Sequence, residues 1–198
     1  MLDALKGRAV LVERTTEASD RDAELVARAR HDRRAIAALY DQYLDPIYRY
    51  CYVRLGSREA AEDATSLVFT KAMDALSAYR GGSFRSWLFA IAHNVVADAQ
   101  RATRPVEPIE AAATVADPDP APDELALRED AGRAVRQSLL QLSPDQRDVV
   151  ELRLAGLTGP EIARALGKSH AAVRIAQFRA FARLRDLLAE PQESDHDA

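Results

Sequence analysis

The chain has 198 residues, enough for one domain or two small ones. With 47% hydrophobic and 29% charged residues it has the make-up of a globular protein, which excludes wholesale disorder, collagen-like repeats and a disulfide scaffold. The formal charge of −4 hides an uneven distribution: six acids and no base lie between Pro105 and Glu124, and four acids and no base between Ala189 and Ala198, so the rest of the chain is basic and suited to nucleic acid.

The single cysteine, Cys51, has no second thiol to pair with and reads as a small core residue. No stretch approaches the roughly 20 apolar residues of a membrane span, and the first 20 residues lack the apolar centre of a secretory signal. A cytoplasmic protein without membrane insertion is expected.

Residues 1–20 read as a flexible extension. From Arg21 to Arg104 the periodicity predicts a first helical module. Leu25, Ala29, Ile36, Leu39, Tyr43, Ile47, Tyr50 and Val53 recur at helical steps, with a kink or restart expected at Asp45-Pro46. A second helix starts after Gly56-Ser57, with Ala60, Ala64, Leu67, Val68, Ala72 and Leu76 on its apolar side, and stops at Tyr79-Arg80-Gly81-Gly82. A third, from Ser83, buries Trp87, Ile91 and Val95 beside Leu88, Ala92, Val96 and Ala99. It leaves His93, Asn94, Asp98 and Arg101 as a polar stripe suited to bases and phosphates.

Five of the nine prolines fall in the acidic stretch 105–124, which reads as an extended linker. A second module is expected over 125–190. There Ser143-Pro144-Asp145-Gln146 and Thr158-Gly159-Pro160-Glu161 each combine a capping residue, an early proline and an acceptor three residues after the cap. A short helix ending at Gly167 and a longer basic helix behind Ser169 make a helix-turn-helix. The long helix presents His170, Ala171, Arg174, Ile175, Phe178 and Arg179 on its outer side: arginine can bond guanine bidentately, and the apolar pair can touch thymine methyls. Arg183 lies farther along and suits phosphate. Residues 191–198 form an acidic tail.

The fold class expected is therefore all-α, two small helical domains joined by a flexible linker. No catalytic constellation, phosphate-binding glycine loop or metal-ligand cluster competes, so no cofactor and no enzymatic activity is expected.

Four segments, LYDQYLDPIYRY (39–50), EAAEDATSLVFTKA (59–72), YRGGSFRSWLFAIAHNVVADAQR (79–101) and LSPDQRDVVELRLAGLTGPEIARALGKSHAAVR (142–174), resemble the extracytoplasmic-function (ECF) sigma factors, promoter-recognition subunits of bacterial RNA polymerase. The resemblance implies a region-two domain that docks on the polymerase clamp and captures the minus-ten element, and a region-four domain whose helix-turn-helix reads the minus-thirty-five element. It places Glu62, Asp63, Thr65, Ser66 and Lys71 against the clamp. Arg80, Phe84, Arg85, His93, Asn94, Asp98 and Arg101 fall at the minus-ten element, and Lys168, His170, Arg174, Ile175, Phe178, Arg179 and Arg183 at the upstream element. The implied partners are core RNA polymerase, promoter DNA and an anti-sigma factor. The chain departs from the family pattern at Leu67 and Met73, where an acid and then a tryptophan are common, and at Ile175, Ala176 and Phe181, where serine or basic residues are common. The rival reading from the residues alone is a stand-alone helix-turn-helix repressor or activator, which would bind a palindrome without polymerase.

Overall fold

The computed structural model describes residues 22–102 and 137–189. The proposed extension, acidic linker and acidic tail lie outside the described residues. Every element among the described residues is helical.

The first body holds α1 (22–29), α2 (Arg33–Leu55), α3 (Arg58–Ala75), a short 3-10 turn (Leu76–Ala78) and α4 (Phe84–Ala102). Asp32 caps α2, its carboxylate accepting from the Arg34 amide at 2.8 Å. Of the kink or restart expected at Asp45-Pro46, the restart does not occur: α2 runs through Pro46 as one helix. Proline removes one backbone bond and adds one clash, but Tyr43 and Ile47, buried on either side of it, hold both halves of the helix against the same core. The buried Asp22 carboxylate accepts from the Tyr43 hydroxyl and from Gln42 Nε2, tying α1 to α2. Burial, with Asp22 beside it, raises the Tyr43 phenol pKa.

Helix α3 and the turn after it bury Ala64, Val68, Ala72 and Leu76 as expected, but not Ala60 or Leu67. Its buried stripe is Ala61, Ala64, Thr65, Val68, Phe69 and Ala72, while Leu67 is 45% exposed. Thr65 tolerates burial because its hydroxyl donates to the Ala61 carbonyl at 2.7 Å. Cys51 is fully buried, and burial pushes its thiol pKa up to about 11. The loop to α4 turns on Gly81 and Gly82, whose φ values of 97° and 94° favour glycine. The Tyr79 hydroxyl closes the loop by donating to the Gly82 carbonyl at 2.7 Å.

The second body comprises a helical stretch at 137–140 (α5), α6 (Pro144–Leu154), α7 (Gly159–Ala165) and α8 (His170–Ala189). Both expected capping boxes form, at Ser143/Gln146 and Thr158/Glu161. α6 and α7 end alike: the Leu157 amide reaches the Leu152 carbonyl at 3.0 Å, the Lys168 amide reaches the Ala163 carbonyl at 2.9 Å, and Gly156 and Gly167 take the left-handed turn between. Ile162 and Val173, both fully buried, pack the short helix on the long one.

The two bodies touch. One apolar cluster runs from Leu39, Phe89 and Val96 into Val149, Leu152, Leu157, Ile162 and Val173. A smaller one, Leu139, Leu142, Val150 and Ala180, takes in Val53 at the edge of α2.

Candidate nucleic-acid interface and the contact between the bodies

Helices α7 and α8 meet through a glycine turn, and α8 sends its first two turns outward. Arg174, Arg179 and Arg183 are exposed, as are His170 and Ile175, and Phe178 is 77% exposed. This ring takes no part in the core. Lys168 is differently placed: its Nζ pairs with Asp145 at 2.7 Å, so it braces the turn against α6.

The residues expected at the minus-ten element divide into three groups. Arg80, Asn94, Asp98 and Arg101 are exposed; Arg80 donates to the Ser77 carbonyl at 3.2 Å, and Asp98 and Arg101 pair with each other. Phe84 is 2% exposed and packs edge-on against Tyr43 and Tyr79, so it is a core residue and offers no free face to a base. That corrects its expected place at the minus-ten element: the first residue of α4 is turned inward by the aromatic cluster it completes. Trp87 is only partly buried, packed on Tyr79 and Phe84.

Arg85 and His93 form the third group, and both face the second body. Arg85 Nη2 donates to the Ala155 carbonyl at 2.8 Å. His93 Nδ1 lies 3.3 Å from the Tyr50 hydroxyl, and its Nε2 lies 4.0 Å from Asp148. Burial lowers the His93 pKa, with Asp148 opposing.

At the centre of this contact is a residue that sequence reasoning missed. Arg54, at the end of α2, donates Nη1 to Asp148 and, at 2.6 Å, to Glu151, both on α6. Its side chain is 7% exposed and that of Glu151 3%. Burial works against the Arg54 charge, but Tyr50, Glu151 and Asp148 outweigh it and its pKa is raised; burial likewise raises the Glu151 carboxyl, with Arg54 opposing. Glu161 makes a second bridge: Oε2 accepts from the Thr158 amide at 2.8 Å, and Oε1 accepts from Ser83 Oγ at 3.0 Å. In the sequence Arg54 resembles any base closing a helix, and only the fold brings it to acids more than 90 residues away.

Gly156 keeps this contact close. A Cβ there would sit 2.8 Å from Arg85 Nη2, and its φ is 87°. Gly156→Ala is therefore expected to cost about 1–2 kcal/mol from the left-handed backbone alone and to displace Arg85 from the Ala155 carbonyl. A urea titration checks it; an unchanged midpoint would contradict the strain.

On the expected clamp face, Glu62, Asp63, Ser66 and Lys71 are exposed, whereas Thr65 is buried and is corrected to a core position. Leu67 and Thr70 join Asp63 and Ser66 on the exposed stripe, a one-turn pattern that the three- and four-residue spacing from Asp63 could have shown.

Among the described residues no helix is long and apolar enough to cross a membrane, and no group of His, Cys, Asp or Glu is placed to hold a metal ion.

Comparison with known proteins agrees with this architecture. The Sigma-70 region 2 family matches residues 39–105, and the Sigma-70 region 4 family matches 132–184. The ECF RNA polymerase sigma factor BldN of Streptomyces coelicolor is 36% identical over 182 residues, covering 87% of this chain and 67% of the relative. SigD of Mycobacterium tuberculosis, another ECF RNA polymerase sigma factor, is 33% identical over 174 residues, covering 83% and 82%. Among solved structures, CnrH in complex with the cytosolic domain of CnrY superposes with a TM-score of 0.67 at 25% identity, over 84% of this chain and 96% of that one. Two sigma-70 region matches in the right order, on helical bodies whose second is a helix-turn-helix, and relatives this similar over most of their length place the chain in one family: it is an ECF sigma factor.

Proposed function

We propose that this factor binds core RNA polymerase through the exposed α3 stripe, reads the upstream promoter element with α8, and holds the minus-ten element with the outer face of α4 and its preceding loop. The polymerase supplies the chemistry, and the factor acts in the cytoplasm. The observation that carries this reading is α8 itself: Arg174, Ile175, Phe178 and Arg179 stand exposed on the first turns of the second helix of a helix-turn-helix. Arg183 suits phosphate positioning. On α3, Glu62, Asp63, Ser66 and Lys71 form a charged and polar face suited to a reversible, electrostatically matched interface. On the promoter-opening side, Arg80, Asn94, Asp98 and Arg101 supply exposed hydrogen-bonding groups, and Arg85 and His93 join them once the two bodies part.

The domain division that goes with this is a region-two domain over 21–104 and a region-four domain over 125–190. Control by an anti-sigma factor also fits: the polymerase- and DNA-facing surfaces lie on two bodies that another chain can clamp together.

Reconstitution tests the reading. Core polymerase, this factor and a promoter library are expected to give specific run-off transcripts, and sequencing them defines both elements. Absence of transcript together with tight palindrome binding by the factor alone would overturn it in favour of a stand-alone repressor.

A further inference from the structure

Polar side chains of region two, Arg54 foremost, are met in the closed molecule by carboxylates of region four, while Arg85 takes the Ala155 carbonyl. Arg54 takes Asp148 and Glu151, Ser83 takes Glu161, and Asp148 approaches His93. Carboxylate and phosphate oxygens are interchangeable partners for a guanidinium, so the acidic side of α6 presents to region two the kind of groups a nucleic-acid backbone presents.

The match is incomplete. Arg54 Nε is buried and has no hydrogen-bond partner, because both carboxylates crowd onto Nη1 while Nη2 reaches only Gln100 at 3.4 Å. Arg85, on the same face, also leaves its Nε buried without a partner. Two guanidinium Nε donors buried without a partner on one surface are costly if the closed contact is their only use. A phosphate, approached side-on through Nε and Nη2, would use the unpartnered Nε and replace the long bond from Nη2 to Gln100.

We propose that Arg54 is a DNA-phosphate contact of region two, and that the Asp148 and Glu151 carboxylates of α6 occupy its site in the closed molecule, so that α6 and promoter DNA compete for the same guanidinium. The inference rests on the promoter-binding reading above and adds to it a residue and an internal competitor. The apolar cluster and the Ser83 and Arg85 bonds also join the bodies, but a buried ion pair roughly breaks even against its desolvation, so Arg54 can exchange its carboxylates for another anion at little net cost.

The full chain is tested in four forms: wild type, Asp148→Asn/Glu151→Gln, Arg54→Gln, and the triple variant. Small-angle scattering reads closure, and fluorescence anisotropy with a labelled single-stranded oligonucleotide, the non-template strand of a promoter recovered from the run-off experiment, reads affinity over a range of salt. The Asn/Gln pair is expected to expand the particle and tighten oligonucleotide binding roughly tenfold, the gain for a binding-competent form populated at about a tenth in the closed wild type. Arg54→Gln is expected to expand the particle equally yet bring no such gain, and the triple variant is expected to show a salt slope smaller by about one than the Asn/Gln pair.

Arg54→Gln binding as tightly as the Asn/Gln pair would reduce Arg54 to a latch and overturn the phosphate contact. Unchanged scattering and affinity in the Asn/Gln pair would overturn the competition. If that pair loses helicity by circular dichroism, Asp148→Asn alone, on the more accessible carboxylate, carries the same comparison. Failure of the underlying reading shows separately, as wild-type factor that yields no transcript with core polymerase.

Discussion

Phe89→Ala is expected to destabilise region two by about 3–5 kcal/mol, the usual cost of truncating a fully buried aromatic. Phe89 has no exposed surface, packs edge-on against Tyr50 at 5.6 Å, and belongs to the cluster that continues into region four. Domains of this size hold only about 5–15 kcal/mol in total, so the loss takes a large share of what keeps the chain folded. A urea titration should show a lower midpoint with the slope unchanged, and run-off transcription should fall with the folded fraction. A loss under about 1 kcal/mol would mean that the core relaxes around the missing ring far more than a close-packed interior does. Phe178→Ala supplies the contrast: the same chemical change at a ring 77% exposed should leave the midpoint where it was.

Arg174→Ala is expected to weaken upstream-element recognition by about 1–3 kcal/mol, the discrimination of one bidentate arginine–guanine pair. Arg174 is exposed near the start of α8, and no part of it supports the core. Transcription from promoters that depend on the upstream element should drop about fivefold or more, while co-purification with core polymerase stays intact. Equal loss of polymerase affinity would contradict the assignment. Arg183→Ala should behave differently, weakening all sequences alike and lowering the salt slope by about one, because a phosphate contact positions the helix without reading bases.

Much of the fold was legible because its signals are local. Ser143-Pro144-Asp145-Gln146 and Thr158-Gly159-Pro160-Glu161 announce helix starts through bonds that span three residues, and Gly167 marks the turn because few other residues take its conformation. Where the reading failed, the deciding contact was distant or the competing residue ambiguous. Thr65 and Leu67 exchange their expected places because threonine can satisfy its hydroxyl on the preceding turn and a single leucine is tolerated in water. Phe84 is pulled inward by Tyr43 and Tyr79, the first of which lies some 40 residues earlier. Pro46 sits within a helix because side chains around it are buried, not because its own preferences allow it.

The interface between the bodies was the least legible feature. Nothing near Arg54 in sequence points to Asp148 or Glu151, and only the folded chain pairs them. The resemblance to sigma factors gave the order of the two bodies, but not that Arg85 and His93 would be engaged by the second one.

Burial pushes the Cys51 thiol pKa up to about 11, so the group stays protonated at neutral pH. Peroxide attacks the thiolate, so this sulfur is a poor candidate for sulfenic acid formation, and its burial also keeps the oxidant away. An oxidative signal is therefore not expected to be read at this sulfhydryl, and one relayed to the factor through a binding partner would leave it chemically unaltered.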